Sequence, residues 1–118
     1  MSTVAAVLIG FIAFIHVYFL VLEMFFWDKP LGLRAFGQTK EAATASKVLA
    51  ANQGLYNGFL AAGLIWGLML GNAGGPIKVF FLSCVLIAGL YGGVTANRKI
   101  LFVQALPAAI ALALIALI

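Results

Sequence analysis

The sequence predicts an all-α integral membrane protein built as a four-helix transmembrane bundle. Of its 118 residues, 65% are hydrophobic and 8% are charged, whereas about 25% of the residues of a typical soluble domain are charged. The mean hydropathy is +1.18. Four apolar segments each approach the roughly 20 residues that cross the hydrocarbon of a bilayer. We therefore expect a single four-helix membrane domain over residues 1–118.

The predicted spans follow one another with one long connection. They cover residues 4–26, 48–70, 77–96 and 100–118. In the connection after the first span, Pro30 and Gly37 interrupt alternating apolar and basic residues, a pattern that predicts a short interfacial helix. Thr39 is expected to cap the helix that leads into the second span, with Glu41 in its first turn.

The distribution of basic residues predicts the topology. The first and third connections hold six of the seven Lys and Arg residues, and the opposite side has only Lys78, near the start of the third span. The positive-inside rule then places the long loop in the cytoplasm and both termini on the outer side of the cell membrane. Because the net charge of +4 is spread over these connections and forms no basic stripe, the expected partner is the lipid bilayer and not nucleic acid.

The sequence carries no signature of a known catalytic or cofactor site. With one histidine and one cysteine, Cys84, neither a metal site nor a disulfide is expected. Nucleotide-binding loops, nucleophile elbows and zinc motifs are absent from the sequence. Cofactors are left unknown, and the sequence leaves open whether the protein is an enzyme.

The most unusual stretch is KVLAANQGLYNGFLAAGLIWG, residues 47–67. It contains an apolar run long enough to cross a bilayer, yet it carries four polar residues within six positions: Asn52, Gln53, Tyr56 and Asn57. At about 100° per residue, these four occupy one arc of about 140° on a helix. Four small residues lie on the opposite arc and are expected to let another helix approach closely: Gly54, Gly58, Ala61 and Ala62.

The strongly polar residues of the spans fall between the cytoplasmic surface and the bilayer centre. At 1.5 Å per residue, Glu23 lies roughly 6 Å deep, and His16 and Asn57 lie roughly 15 Å deep. Since such groups must be hidden from lipid, we expect a polar pocket in the cytoplasmic half of the bundle. Its predicted ligand-binding residues are His16, Glu23, Asn52, Gln53, Tyr56, Asn57, Tyr91, Thr95 and Gln104.

Two of these residues are candidates for catalysis. His16 and Glu23 share a helix face about 10.5 Å apart, and depth pairs Glu23 with Asn52 or Gln53, and His16 with Asn57. The two groups could exchange protons or hold a cationic or hydroxylated ligand. The alternative, equally open, is that Glu23 stays hydrated, that His16 donates to a neighbouring helix and that the carboxamides only join helices.

The last two spans carry weaker signals. Cys84, Tyr91 and Thr95 share one face of the third span beside a glycine-rich packing face, which favours packing over catalysis. In the fourth span, Gln104 precedes Pro107, whose missing N–H frees a backbone carbonyl one turn earlier. This predicts either a ligand notch or a kink.

Four motifs together resemble a known family. They are H-x-x-x-x-x-x-E-M-F-x-W from His16, KVLAANQGLYNGFLAAG from Lys47, Y-G-G-x-T from Tyr91 and Q-x-x-P-A from Gln104. The chain resembles, over nearly its whole length, the small membrane proteins of the domain of unknown function 1304 family. This resemblance implies a short four-helix inner-membrane protein of bacteria and some fungi, and it implies no reaction.

Three functions fit these observations. The first is binding of a small amphiphilic or lipid-derived molecule in the pocket, with acid/base chemistry by Glu23 and His16. The second is a small transporter or proton-coupled carrier that works as an oligomer. The third is a structural membrane protein whose carboxamides join its helices. Two glycine-rich faces exceed what one neighbouring helix needs, so a homo-oligomer is also considered.

Overall fold

The protein is all-α. The computed structural model describes residues 2–117, of which none forms a strand, and 89% of these described residues are helical. It contains five α-helices, a 3₁₀ turn and a π-helical turn. These are α1 (Thr3–Phe25), α2 (Pro30–Phe36), α3 (Lys40–Met69), the 3₁₀ turn Gly71–Gly74, α4 (Gly75–Thr95), the π-helical turn Leu101–Ala105 and α5 (Leu106–Ala116).

A short helix does form in the long connection, as predicted. Pro30 is the first residue of α2, where its fixed φ suits a helix start and its missing N–H removes no bond. Gly37 ends the helix with a left-handed φ of 62°. The N–H of Gln38 then returns to the carbonyl of Leu33, which satisfies an acceptor that the helix end would leave free.

The predicted start of α3 is also confirmed. The Thr39 hydroxyl accepts a hydrogen bond of 3.1 Å from the Ala42 N–H, and Glu41 lies in the first turn. The helix continues for 30 residues to Met69, which corresponds to a length of about 45 Å. It therefore begins eight residues before the predicted span at Val48, because good helix formers and a cap extend it beyond the apolar run.

The residues of the last apolar segment form two kinds of helix. In the π-helical turn, the N–H of Leu106 donates to the carbonyl of Leu101, five residues earlier. Pro107 follows directly in the first turn of α5, where it is tolerated. The segment before Pro107, for which the sequence predicted a ligand notch or a kink, is a π-helical turn that contains Gln104.

The chain divides into two compact units. The first comprises the residues up to Phe14 together with those from Leu60 onward, and the second comprises Ile15–Phe59. The first unit contains a hydrophobic cluster of buried aliphatic residues with at most 3% exposure: Ile9, Ile12, Ala13, Ala61, Leu64, Leu82, Val85, Ala108 and Ala111. In the second unit, the buried aliphatic residues Leu22, Ala43 and Ala50 are accompanied by polar ones.

Two helices are long and apolar enough to cross a membrane. They are Thr3–Phe25 and Gly71–Thr95, and Leu101–Ala116 is a shorter apolar helix. α3 is long enough, but Asn52, Gln53 and Asn57 lower its hydropathy. The structure therefore supports an all-α fold with two potential spans, which is coarser than the predicted four-span bundle.

Candidate functional site

A buried carboxyl and a buried carboxamide meet in the second unit. The Nδ2 of Asn57 on α3 donates a hydrogen bond of 2.5 Å to the Oε1 of Glu23 on α1. Glu23 is 5% exposed and Asn57 is 8% exposed. Burying a polar side chain without a hydrogen-bond partner is costly. The hydrogen bond between Glu23 and Asn57 offsets this cost and lets both side chains lie between the helices.

Small residues of α3 bring the two helices close together. A methyl group added to Gly54 would lie 3.0 Å from the Cβ of Glu23 and 3.3 Å from the carbonyl oxygen of Leu20. Gly58, one turn further, lies against the side chain of Leu20. The prediction that the small arc of α3 packs closely against another helix is confirmed for Gly54 and Gly58, and the other helix is α1.

The predicted pairing of Glu23 with Asn52 or Gln53 is wrong, since Glu23 bonds to Asn57. That prediction assumed that the cytoplasmic ends of the first two predicted spans, Phe26 and Val48, lie at the same depth in the membrane. In the structure Met24 and Leu20 lie against Gly54 and Gly58, which shifts α3 by about one turn, or roughly 6 Å, relative to that assumption.

The helix geometry also explains why Asn57 is the residue that turns inward. It lies about 60° from Gly54 around the helix axis, whereas Asn52 lies about 160° away. Asn57 is therefore at the edge of the face that contacts α1. The polar arc of α3 is divided: Asn57 is buried, and Asn52, Gln53 and Tyr56 are exposed.

The other predicted site residues occupy different surroundings. His16 is 1% exposed, and its ring lies edge-on to that of Phe19 with centroids 5.7 Å apart. Tyr91 and Thr95 are exposed on α4, where the Thr95 hydroxyl donates to the carbonyl oxygen of Tyr91. Gln104 is half-buried. A described hydrogen bond between side chains on two different helices joins the predicted site residues Glu23 and Asn57.

A second polar cluster follows the end of α1. The Nζ of Lys47 lies 3.2 Å from the Oδ2 of Asp28, and the indole N–H of Trp27 donates to the Ser46 hydroxyl at 3.1 Å. The hydrogen bond from Lys47 holds the pKa of the Asp28 carboxyl below its ordinary value. These contacts connect the chain after α1 to the first two turns of α3.

Sequence reasoning missed a buried lysine in the first unit. Lys78 is 1% exposed, and its Nζ donates a hydrogen bond of 2.6 Å to the carbonyl oxygen of Gly71. Gly71 follows the end of α3 with a left-handed φ of 60°. From the sequence, Lys78 indicates only membrane topology. Gly67, near the end of α3, was the available indication, since a Cβ there would lie 2.7 Å from the Cγ of Lys78.

Two cavities can be described in the first unit. One, of about 360 Å³, is lined by residues 93–98 and Leu101. The other, of about 490 Å³, is an apolar groove between the start of α1 and α5. Glu23 and Asn57 line neither of these two cavities.

The arrangement of the candidate site limits the chemistry that it can perform. Among residues 2–117, no group of three His, Cys, Asp or Glu side chains could hold a metal ion. What the site offers is one carboxyl group in apolar surroundings, oriented by a carboxamide donor. Such a group can accept a hydrogen bond, hold a cation or exchange a proton.

These features define a class: an all-α protein with two helices apolar enough to span a membrane and a buried Glu–Asn pair joining α1 to α3. The chain belongs to the family described as Protein of unknown function (DUF1304), whose model matches residues 10–116. It is similar to the Uncharacterized protein YpaA of Lactococcus lactis subsp. lactis (strain IL1403), with 32% identity over 106 residues, 88% of this chain and 89% of that protein. No solved structure matches it significantly.

Proposed function

We propose that the protein is a multi-pass protein of the cytoplasmic membrane whose four apolar segments cross the bilayer as a bundle. The two helices that are long and apolar enough to span support this proposal. So does α3, whose length of about 45 Å exceeds the roughly 30 Å of bilayer hydrocarbon. The excess of basic residues on the first and third connections favours both termini outside.

Within this bundle, the Glu23–Asn57 pair binds the polar head of a small amphiphilic or lipid-derived molecule. The observation that carries this proposal is the burial of Glu23, one of three acidic residues in the chain, between apolar helices. An ionisable residue inside a membrane span is costly, and such residues typically mark a ligand or proton site. Glu23 would accept a hydrogen bond or a proton from the ligand, and Asn57 would hold the carboxyl in place.

His16 would extend the site towards the bilayer centre. It lies seven residues before Glu23, on the same face of α1 and about 10.5 Å deeper. A ligand with a polar head near Glu23 and a second polar group at that distance would contact both side chains. Acid/base chemistry would then use Glu23 and His16 at the two ends of the site.

Co-purification tests the binding proposal. The protein would be purified in mild detergent as wild type, Glu23→Gln and Glu41→Gln, and analysed by native mass spectrometry with extraction of bound small molecules. Glu41 is the matched control, because it is an exposed glutamate in the first turn of α3. We expect a defined small molecule with wild type and Glu41→Gln and its loss from Glu23→Gln. The same bulk lipids in all three samples would contradict the proposal.

Reporter fusions test the membrane topology independently. Alkaline phosphatase fused after residue 118 should be active, because that terminus is proposed to lie outside. A fusion within the first connection, after Gly37, should be inactive. Recovery of the protein in the soluble fraction, or the reverse pattern of activity, would contradict the membrane proposal.

A structural role is the second candidate function, favoured by the same hydrogen bond. The hydrogen bond between Asn57 and Glu23 joins α1 to α3 at the position where Gly54 lets the two helices approach closely. A bond that serves to hold two helices together is expected at such a position. In this case, replacing either residue should lower stability without removing any bound molecule.

A further inference from the structure

An unpartnered seam of side chains runs along α3. Its members are exposed, and they recur at alternating intervals of four and three residues, the spacing of a coiled-coil seam. They are Ala45, Leu49, Asn52, Tyr56 and Phe59. Leu49 is 75% exposed and Tyr56 is 57% exposed, so this seam is available for an intermolecular contact.

The seam lies on the side of α3 away from α1. Gly54, which packs against α1, lies about 160° from Asn52 around the helix axis. α3 therefore has one face occupied within its own chain and a second face, with coiled-coil spacing, that α1 does not cover.

Asn52 is the polar residue of this seam. Within the part of the chain that the structure describes, its side chain has no hydrogen-bond partner, and neither has that of the adjacent Gln53. Asn52 lies five residues beyond Lys47, about 7.5 Å along the helix. If the chain crosses the membrane as proposed above, an exposed carboxamide at this depth faces hydrocarbon and is costly without a partner.

We propose that α3 pairs through this seam with α3 of a second copy of the chain, in parallel, with Asn52 facing Asn52 of the partner subunit. Copies inserted in the same orientation are related by a twofold axis along the membrane normal, which brings identical positions face to face. A carboxamide both donates and accepts hydrogen bonds, so two identical ones can bond reciprocally. Two identical charged groups at that position would repel each other.

The composition of the seam also favours a second copy over an unrelated helix. The large side chains beside Asn52, those of Leu49, Tyr56 and Phe59, carry no charge that requires a complementary partner. A single asparagine within an apolar seam is the device by which parallel coiled coils fix register and oligomeric state. The seam therefore specifies a dimer in one register.

Cysteine cross-linking in native membranes tests this pairing. In a Cys84→Ser background, Leu49→Cys is compared with Leu55→Cys, which is 43% exposed and lies about 80° from the centre of the seam. Oxidation should produce a dimer with Leu49→Cys, whereas Leu55→Cys should stay monomeric because its thiols are too far apart for a disulfide. Equal cross-linking at both positions, or none at Leu49, would overturn the proposal.

A second measurement does not depend on oxidation. Replacing Asn52 by leucine keeps the seam apolar and removes the reciprocal hydrogen bonds, so the dimer dissociation constant in bilayers should rise about threefold to twentyfold. An unchanged constant would overturn the role of Asn52. Fractionation separates the two proposals: a soluble protein contradicts the membrane placement, whereas a membrane-bound protein without the Leu49 cross-link contradicts only this pairing.

Discussion

Asn57 donates a 2.5 Å hydrogen bond to the carboxyl of Glu23, a residue 34 positions earlier on another helix. The bond lies beside Gly54, where the absence of a side chain lets α1 and α3 approach each other. If the pair is a binding site, the Glu23 carboxyl contacts a ligand. If the pair is structural, its hydrogen bond stabilises the contact between α1 and α3. Measurements of stability and of ligand retention therefore separate the two functions.

A double-mutant cycle should show that Glu23 and Asn57 are energetically coupled. Asn57→Leu leaves the Glu23 carboxyl without its partner, and orphaning a buried polar group costs about 1–3 kcal/mol. Glu23→Leu should cost less when Asn57 is already leucine. Thermal unfolding of the wild type, both single variants and the double variant in one detergent measures the coupling. Additive effects of the two substitutions would contradict a mutual bond.

The sequence predicted the helices better than it predicted the pairing between them. Thr39 indicates a helix start through local chemistry, and Pro30 and Gly37 delimit a short segment, so the cap of α3 and a short helix in the connection could be anticipated. Which residue opposes Glu23 depends on how far α3 slides along α1, and a shift of one turn exchanges Asn52 or Gln53 for Asn57. The ends of the apolar runs do not determine that shift, because α3 begins at Lys40, eight residues before its apolar run begins at Val48.

Adding one methyl group at Gly54 should destabilise the protein. The new Cβ would lie 3.0 Å from the Glu23 Cβ and 3.3 Å from the Leu20 carbonyl oxygen, neither of which is the end of a flexible side chain. Overpacking of this kind costs typically about 1–3 kcal/mol. Thermal unfolding in detergent should therefore show a lower melting temperature for Gly54→Ala than for the wild type.

Gly10→Ala is the matched control for this substitution. Gly10 is also a glycine within a helix, but a Cβ there has no neighbouring atom within 4 Å. The alanine should stabilise α1 by about 0.5–1 kcal/mol, because glycine loses more conformational entropy in a helix. Equal effects of the two substitutions would show that α1 does not contact α3 at Gly54.

The burial of Lys78 could not be predicted by counting basic residues along the sequence. As the one basic residue on the side opposite the first and third connections, it contributed to the predicted orientation. Its environment depends on the turn between α3 and α4, where Gly71 has a left-handed φ of 60° and presents its carbonyl oxygen to the ammonium. A cation near the carbonyl end of a helix is favourable. The hydrophobic periodicity of the sequence, however, does not indicate which carbonyl oxygen the Lys78 ammonium contacts.

Removing the Lys78 ammonium should therefore lower stability. Lys78→Met keeps most of the buried chain and deletes the hydrogen bond to Gly71, and hydrogen bonds to charged groups contribute about 1.5–3 kcal/mol. The control is Lys40→Met, at an exposed lysine in the first turn of α3, which should change the melting temperature little. A Lys78→Met protein as stable as the wild type would show that this bond contributes no net stability.

The Asp28–Lys47 ion pair should make stability depend on pH in the acid range. Because Lys47 holds the pKa of Asp28 below its ordinary value in the folded protein, the unfolded state binds the proton more readily. The stabilisation is therefore fully present above the unfolded pKa of about 3.9 and is lost as the pH falls through the lower folded value. The melting-temperature difference between the wild type and Asp28→Asn should be constant from about pH 5 to about pH 8 and should shrink below about pH 4. In a Lys47→Gln background the same substitution should show little of this pH dependence. A difference that grows on acidification would mean that the pair does not stabilise the folded state.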